Sequence, residues 1–253
     1  EPSGTINKIW GGDFSVNPFQ EGTSFSGGTT SPDNKNTGNV RFTISTYIAD
    51  GYKFIVTGTL GNTEFNGSKD SAAPTFAQAD YNTANSLRAG IEQSVGTPTA
   101  LSLQDDNLMT IRHVVEGYDA KALYGKVATL SFWVYAKQTD TYYVALRNSA
   151  DDRQFIKSFT VDTTAIWEYK QIEIPAITAV GVTAFDTTTG AGIVIDWVMA
   201  AGADFVAASP SDGNWTNTST EYANATVNGF DDSTADDFQI ALPVLNSGNA
   251  SIT

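Results

Sequence analysis

Apolar and polar residues alternate with a period of two over much of this chain. In the stretch 128–136, Ala128, Leu130, Phe132, Val134 and Ala136 interleave with Thr129, Ser131, Trp133 and Tyr135. Alternation of this kind puts one set of side chains on a buried sheet face and the other on the opposite face, so it predicts a strand. The same rhythm runs through Val40, Phe42 and Ile44, through Ile193, Ile195 and Trp197, and through Phe238, Ile240, Leu242 and Val244. Shorter β-rich runs cover 52–57, 109–115, 142–146, 155–161 and 167–174.

Between these runs lie clusters of Gly, Asn, Asp, Ser and Thr, the residues that turns require. The stretch 27–38 is one, with Gly27, Gly28, Pro32, Asp33, Asn34 and Gly38 close together. Helix signals are weak. Leu87, Ala89 and Ile91 fit a strand as well as a helix, and the Ala-rich, polar stretch 70–85 reads as a long loop. Many short strands separated by polar turns predict an all-β fold, a jelly-roll β-sandwich with little helix. No linker or internal repeat divides the chain, so a single domain over 1–253 with a flexible N-terminal segment is expected.

Composition narrows the function classes. With 41% hydrophobic residues and 5 Trp, 10 Tyr and 14 Phe among 253 residues, the chain can bury a sizeable core. Lys and Arg number 14 against 28 Asp and Glu, a net charge of −14. Nucleic acid is therefore not an expected partner, since phosphate binding needs a basic stripe. Membrane insertion is not expected either: the longest apolar run, 193–201, is broken by Asp196 and falls short of the roughly 20 residues a span needs. Absence of cysteine excludes disulfides, zinc-thiolate sites and thiol catalysis. The sequence opens at Glu1 with neither Met nor a signal-peptide pattern, so an upstream segment stays open.

Catalytic patterns are mostly missing. His113 is the single histidine and lies in an expected strand, which makes it a surface or packed residue rather than a triad member. No G-x-S-x-G elbow supplies a nucleophile. Gly125-Lys126 does not complete a phosphate loop, because Ala120 and Val127 stand at positions needing Gly and Ser or Thr. Paired carboxylates are harder to set aside, since glycoside hydrolysis needs only two acids about the scissile bond. Glu64, Glu116, Glu168, Glu173 and Glu221 are candidates, with solvated surface groups as the other reading.

The pairs Asp105-Asp106, Asp151-Asp152, Asp231-Asp232 and Asp236-Asp237 offer hard oxygen ligands of the kind Ca²⁺ takes. Asp231, Asp232, Asp236 and Asp237 form the candidate site for a structural calcium ion, with plain turn residues as the alternative. No other cofactor is expected.

Aromatic side chains raise a second chemistry, because indole and phenol rings stack on the apolar faces of sugars while amides bond the hydroxyls. Trp133 and Trp197 lie in strand patterns and are expected to pack in the core. Trp215 sits in a polar stretch with Asn214 and Asn217, which makes these three the candidate ligand-binding residues; a Trp that anchors its own loop is the alternative. Five Asn-x-Ser/Thr triplets, at Asn66, Asn214, Asn217, Asn224 and Asn249, are read as chance in a chain rich in Asn and Thr.

Several segments, in order, resemble a domain common in tailed-phage fibre and other virion proteins. The opening Gly12-Asp13-Phe14-Ser15-Val16-Asn17-Pro18-Phe19-Gln20-Glu21-Gly22-Thr23-Ser24-Phe25 is similar to that family's "N-G-x-F-x-I-W-Q-R-G-T-S-F". Tyr47-Ile48-Ala49-Asp50-Gly51-Tyr52 resembles its "Y-x-A-D-x-W". Leu123-Tyr124-Gly125-Lys126-Val127-Ala128-Thr129-Leu130-Ser131-Phe132-Trp133-Val134 resembles its "L-x-G-K-x-V-T-L-S-F-W-V", and Trp167-Glu168-Tyr169 its "W-x-x-Y/F" strand. The resemblance implies a jelly-roll sandwich like those of carbohydrate-binding modules, displayed on the surface of a phage particle and lacking catalytic residues. It implies a tail-fibre segment or capsid decoration with other virion proteins and host surface glycans as partners, assembled as a homo-oligomer, by analogy a trimer. A secreted carbohydrate-binding module and a glycan depolymerase using paired carboxylates remain the alternatives.

Overall fold

The structure is a computed structural model that describes residues 7–9, 12, 14, 40–42, 46–49, 51–60, 63, 65–80, 85–91, 99–218, 221–232 and 236–248. Trp10, Glu64, Asn249, the turn cluster at 27–38 and most of the opening segment of the resemblance lie outside the described residues, as does most of the N-terminal segment expected to be flexible.

The strands are, in chain order, β1 (Val40–Phe42), β2 (Thr46–Ala49), β3 (Tyr52–Thr57), β4 (Phe65–Asp70), β5 (Ser86–Ile91), β6 (Leu108–Glu116) and β7 (Ala128–Ala136). There follow β8 (Thr141–Arg147), β9 (Gln154–Thr160), β10 (Glu168–Ile174), β11 (Ala191–Ala201), β12 (Trp215–Thr216), β13 (Val227–Asn228) and β14 (Asp237–Ser247). They form two antiparallel sheets: one of six strands in the order β1-β4-β5-β14-β7-β10, and one of eight, β12-β9-β8-β11-β6-β3-β2 with β13 beside β11. The expected all-β sandwich is what the chain forms. Among the described residues, helix amounts to single turns at α1 (Phe76–Ala79) and α2 (Gly117–Ala120) and a 3-10 turn at Ala203–Phe205, the first inside the stretch expected to be a loop.

The alternation read from the sequence decides what fills the space between the sheets. Ala128, Leu130, Phe132, Val134 and Ala136 of β7 are all fully buried. Phe132 meets Trp197 of the opposite sheet edge-on at 5.9 Å and Phe159 at 5.2 Å, and Tyr142 packs on Phe238 at 5.1 Å. Each fully buried ring of this size contributes roughly 2–3 kcal/mol of transfer free energy. Gly125, with φ +75°, makes the turn into β7 that a side chain would strain.

His113 also points into this interior. It is fully buried beside Tyr52, with ring centroids 4.7 Å apart, so the packed reading holds. Its Nδ1 lies 3.1 Å from the Gly51 carbonyl, which can only accept, so Nδ1 carries the proton. Burial lowers its pKa from 6.5 to about 4.

On the outer side of the eight-stranded sheet, Asp196 of β11 is fully buried. Its carboxylate accepts from Thr110 Oγ1 at 2.6 Å, Arg112 Nε at 2.8 Å and Arg147 Nη2 at 2.9 Å. The Arg147 guanidinium lies 4.4 Å from the centre of the Tyr222 ring, and Arg112 donates to the Tyr222 hydroxyl. The loop carrying Tyr222 is thereby fastened over the sheet.

The first described residues complete the other sheet. Beyond Ile240, β14 no longer pairs with β5. There the Lys8 amide donates to the Leu245 carbonyl, the Leu245 amide to Asn7 Oδ1, and the Leu242 amide to the Gly12 carbonyl. Leu242 has φ 49° at the irregularity between Ala241 and Val244, the price of turning the strand toward this seam.

Candidate functional site

The outer face of the six-stranded sheet carries a block of four aromatic rings. β7 presents Trp133 and Tyr135 outward, in the phase opposite to its buried Phe132 and Val134. β10 pairs with β7 so that Tyr169 stands directly across from Trp133. Their ring centroids are 5.6 Å apart, inclined at 54°. Trp167, just before β10, meets Tyr135 in the same way, at 5.6 Å and 48°. Tyr169 is 39% exposed, and the other three rings are half-buried. Neighbouring outward positions two residues apart on a strand stand about 7 Å from one another. The four rings therefore tile a patch two strands wide and two positions long.

A short turn fixes Trp167. Glu168 accepts from the Asp162 and Thr163 amides at 2.9 and 2.7 Å, and its other oxygen faces Lys170 at 2.6 Å. These bonds and the lysine hold the Glu168 carboxyl below its usual range, against the opposing effect of burial. The Ala165 amide donates to the Ala136 carbonyl, tying the turn to the end of β7.

Polar groups border the rings. Gln171 and Glu173 of β10 are exposed and follow Tyr169 in the same outward phase, with Ser131 opposite Gln171. On the other side Gln239 stands across from Tyr135, and Arg88 across from Gln239. Arg88 faces Asp237 at 2.5 Å and Asp70 at 3.9 Å, while Lys137 faces Asp237 at 3.6 Å. Burial raises the Tyr135 phenol, and the Asp237 and Asp70 carboxylates raise it further, with Arg88 acting the other way. This arrangement can stack flat, weakly polar rings and bond hydroxyls at its margin.

Sequence reasoning placed Trp133 in the core, and the structure corrects this. The signal was present in the alternation itself, which groups Trp133 with Thr129, Ser131 and Tyr135 rather than with Phe132. Trp197, by contrast, is fully buried as expected.

The residues singled out for ligand binding lie elsewhere, at the β12 edge of the eight-stranded sheet. Trp215 is half-buried between Phe155 and Phe185, each with ring centroids 5.6 Å away, and its Nε1 donates to the Pro175 carbonyl at 3.0 Å. Arg153 lies over its ring and also donates to Asn217 Oδ1, while Asn217 Nδ2 donates to the Val180 carbonyl. Asn214 is exposed and bonds the Asp212 carbonyl at 3.3 Å. Trp215 and Asn217 thus meet around Arg153, and their polar atoms bond to the chain itself.

The four candidate calcium ligands do not converge. Asp237 faces Arg88 and Lys137, whereas Asp236 accepts from Gln138 at 3.1 Å and from the Asp232 amide at 2.7 Å. Burial and the charges of Asp232 and Asp231 raise the Asp236 carboxyl. Asp231 and Asp232 are exposed, and residues 233–235 lie outside the described residues. Among the described residues no group of three or more His, Asp and Glu side chains is arranged to hold a metal ion. The candidate catalytic acids are also dispersed: Glu116 ends β6, Glu168 holds the turn before β10, Glu173 is exposed, and Glu221 accepts from Gln154 and Thr218.

No known family model matches the chain, and no curated protein does. Solved structures do. One is the enzymatically active domain of tailspike protein 4 of bacteriophage CBA120, at 8% identity and a TM-score of 0.42. That match covers 79% of this chain and 20% of the tailspike chain, so this chain spans a fifth of its length. A putative sugar-binding protein from Bacteroides thetaiotaomicron is similar over 96% of this chain and 100% of its own, with 9% identity and a TM-score of 0.43. The CBM22-1 xylan-binding domain of Xyn10C from Paenibacillus barcinonensis matches over 83% of this chain and 94% of its own, with 9% identity and a TM-score of 0.34.

Proposed function

We propose that this chain is a non-catalytic glycan-binding domain that a tailed phage displays on its particle, as a tail-fibre segment or capsid decoration that contacts host surface sugars. The observation that carries the glycan reading is the outward block of Trp133, Tyr135, Trp167 and Tyr169. Large rings on an outer sheet face, partly open to water and held by neighbouring strands, stabilise the fold less than buried ones do. They are suited to contact with a flat ligand. The exposed amide of Gln171, next to Tyr169 in the outward phase, supplies a partner for hydroxyl groups. The particle setting is supported by the ordered resemblance in the sequence, above all the run from Leu123 to Val134. Assembly as a trimer and contacts with other virion proteins belong to the same proposal.

A secreted carbohydrate-binding module is the second reading, and the aromatic face favours it equally, because stacking on sugar needs no particle. Two measurements separate the readings. A glycan array probed with the whole chain and with Trp133→Ala tests the face, and binding that ignores the substitution counts against it. Mass spectrometry of gradient-purified phage particles tests the setting: detection at fixed copy number supports the virion role, and absence moves the assignment to the secreted module.

A further inference from the structure

We infer that the aromatic face takes neutral glycans and rejects acidic ones, a deepening that rests on reading this face as a sugar platform. Uronate or sulfate groups need a cation in reach, because a charge brought out of water against a sheet must be paired. The described cations on the outer face beside the four rings are Arg88 and Lys137; Lys170 pairs across from the buried Phe132 and so stands in the inward phase of β10. Each of the two already faces carboxylate within the chain: Arg88 faces Asp237 and Asp70, and Lys137 faces Asp237. An acidic sugar would have to displace one of these partners and leave a carboxylate behind.

The rest of the border is acidic or neutral. Glu173 is exposed and shares the outward phase of Tyr169, while Gln171, Ser131 and Gln239 carry no charge. On the outer face beside the platform stand three carboxylates (Asp70, Glu173 and Asp237) against two cations. After burial, Asp237 and Asp70 raise the Tyr135 phenol against the opposing effect of Arg88, in keeping with carboxylates standing close to the rings. At longer range the net charge of −14 repels a polyanion before contact. Neutral sugars meet none of these costs.

The test compares the whole chain with Trp133→Ala in affinity gels that contain a neutral polysaccharide, xylan or β-glucan, or an acidic one, alginate or polygalacturonate. Thermal unfolding first establishes that the variant is folded. Retardation by a neutral polymer is expected, reduced about tenfold or more in affinity by W133A. It should persist in about 1 M NaCl, where exposed charges are screened beyond about 3 Å. Acidic polymers are expected to give no retardation that depends on Trp133. Trp133-dependent retardation by alginate or polygalacturonate overturns the inference while the platform reading stands. Should neither class give Trp133-dependent retardation, both fall.

Discussion

Asp196 and Arg147 form an ion pair of 2.9 Å on the outer side of the eight-stranded sheet, with side-chain exposures of 0% and 4%. Arg112 completes the group at 2.8 Å from the other carboxylate oxygen. A buried pair of this kind is a weak source of net stability when intact but a large loss when one member goes, because the buried Arg147 then keeps only its ion pair with the exposed Asp151 carboxylate at 2.7 Å.

Asp196→Asn keeps the shape and removes the charge, leaving two guanidinium groups beside a neutral amide. The expected cost is about 3–5 kcal/mol in urea unfolding. Thr110→Val removes one hydrogen bond to the same oxygen and is expected to cost about 1–2 kcal/mol. Equal effects from the two variants would show that the ion pairs are not what holds the Tyr222 loop.

Trp133 and Trp167 should separate binding from stability. Each lies half-buried on the outer face, so truncation to Ala is expected to cost about 1 kcal/mol of fold stability. A ligand on the face should lose about tenfold or more in affinity with either change. Tryptophan fluorescence offers a second readout, since sugar should perturb the two surface indoles while Trp197 stays shielded in the core.

His113 predicts a specific acid sensitivity. Its folded pKa of about 4 lies below the unfolded value of 6.5, so between these values the unfolded chain binds the extra proton. Stability is therefore complete above about pH 6.5 and falls as the pH is lowered toward 4. At pH 5 the loss is about 2 kcal/mol. As the single histidine of the chain, it is the only imidazole that can give this slope. Urea unfolding at pH 7 and pH 5 measures it, and in His113→Leu the difference should shrink.

Glu168 should act with the same sign at lower pH. Its folded pKa is depressed, so its contribution is present above the ordinary carboxylate range and disappears as the pH falls through the folded value. Glu168→Gln loses the Lys170 pair and weakens the turn at Asp162 and Thr163, at an expected cost of about 1 kcal/mol. Because Trp167 follows this turn, a probe of its ring, such as fluorescence anisotropy, should report greater mobility in the variant.

The strands with clean alternation were legible. Those of β3, β6, β7, β8, β9, β10, β11 and β14 coincide with runs read from the sequence to within a few residues. β4 was not legible, because Phe65-Asn66-Gly67-Ser68-Lys69-Asp70 contains one large apolar residue and shows no alternation. Its neighbours β1 and β5 give it a place that its own residues do not announce. β12 and β13, at two residues each, are too short for any periodicity.

The aromatic face was half legible. Phase alone assigns Trp133 and Tyr135 to the outer side of β7, yet the general tendency of Trp to pack inside a sheet points the other way. What no sequence pattern holds is the register between β7 and β10, which brings Tyr169 and Trp167 across from them over more than thirty residues of chain. Trp215 shows the reverse error of emphasis: a polar neighbourhood in sequence says nothing of Phe155, Phe185 and Arg153, which close around it in space.

The seam between residues 7–12 and the second half of β14 has a mechanical consequence. Lys8 bonds to Leu245 and Gly12 to Leu242, so the two segments run antiparallel and lead away at the same end of the sandwich. Tension applied between them would load these bonds one at a time, as in opening a zipper, rather than all together in shear. A tether through one segment alone puts no force across the seam, so the domain withstands pulling better as a side branch than as a link in a chain.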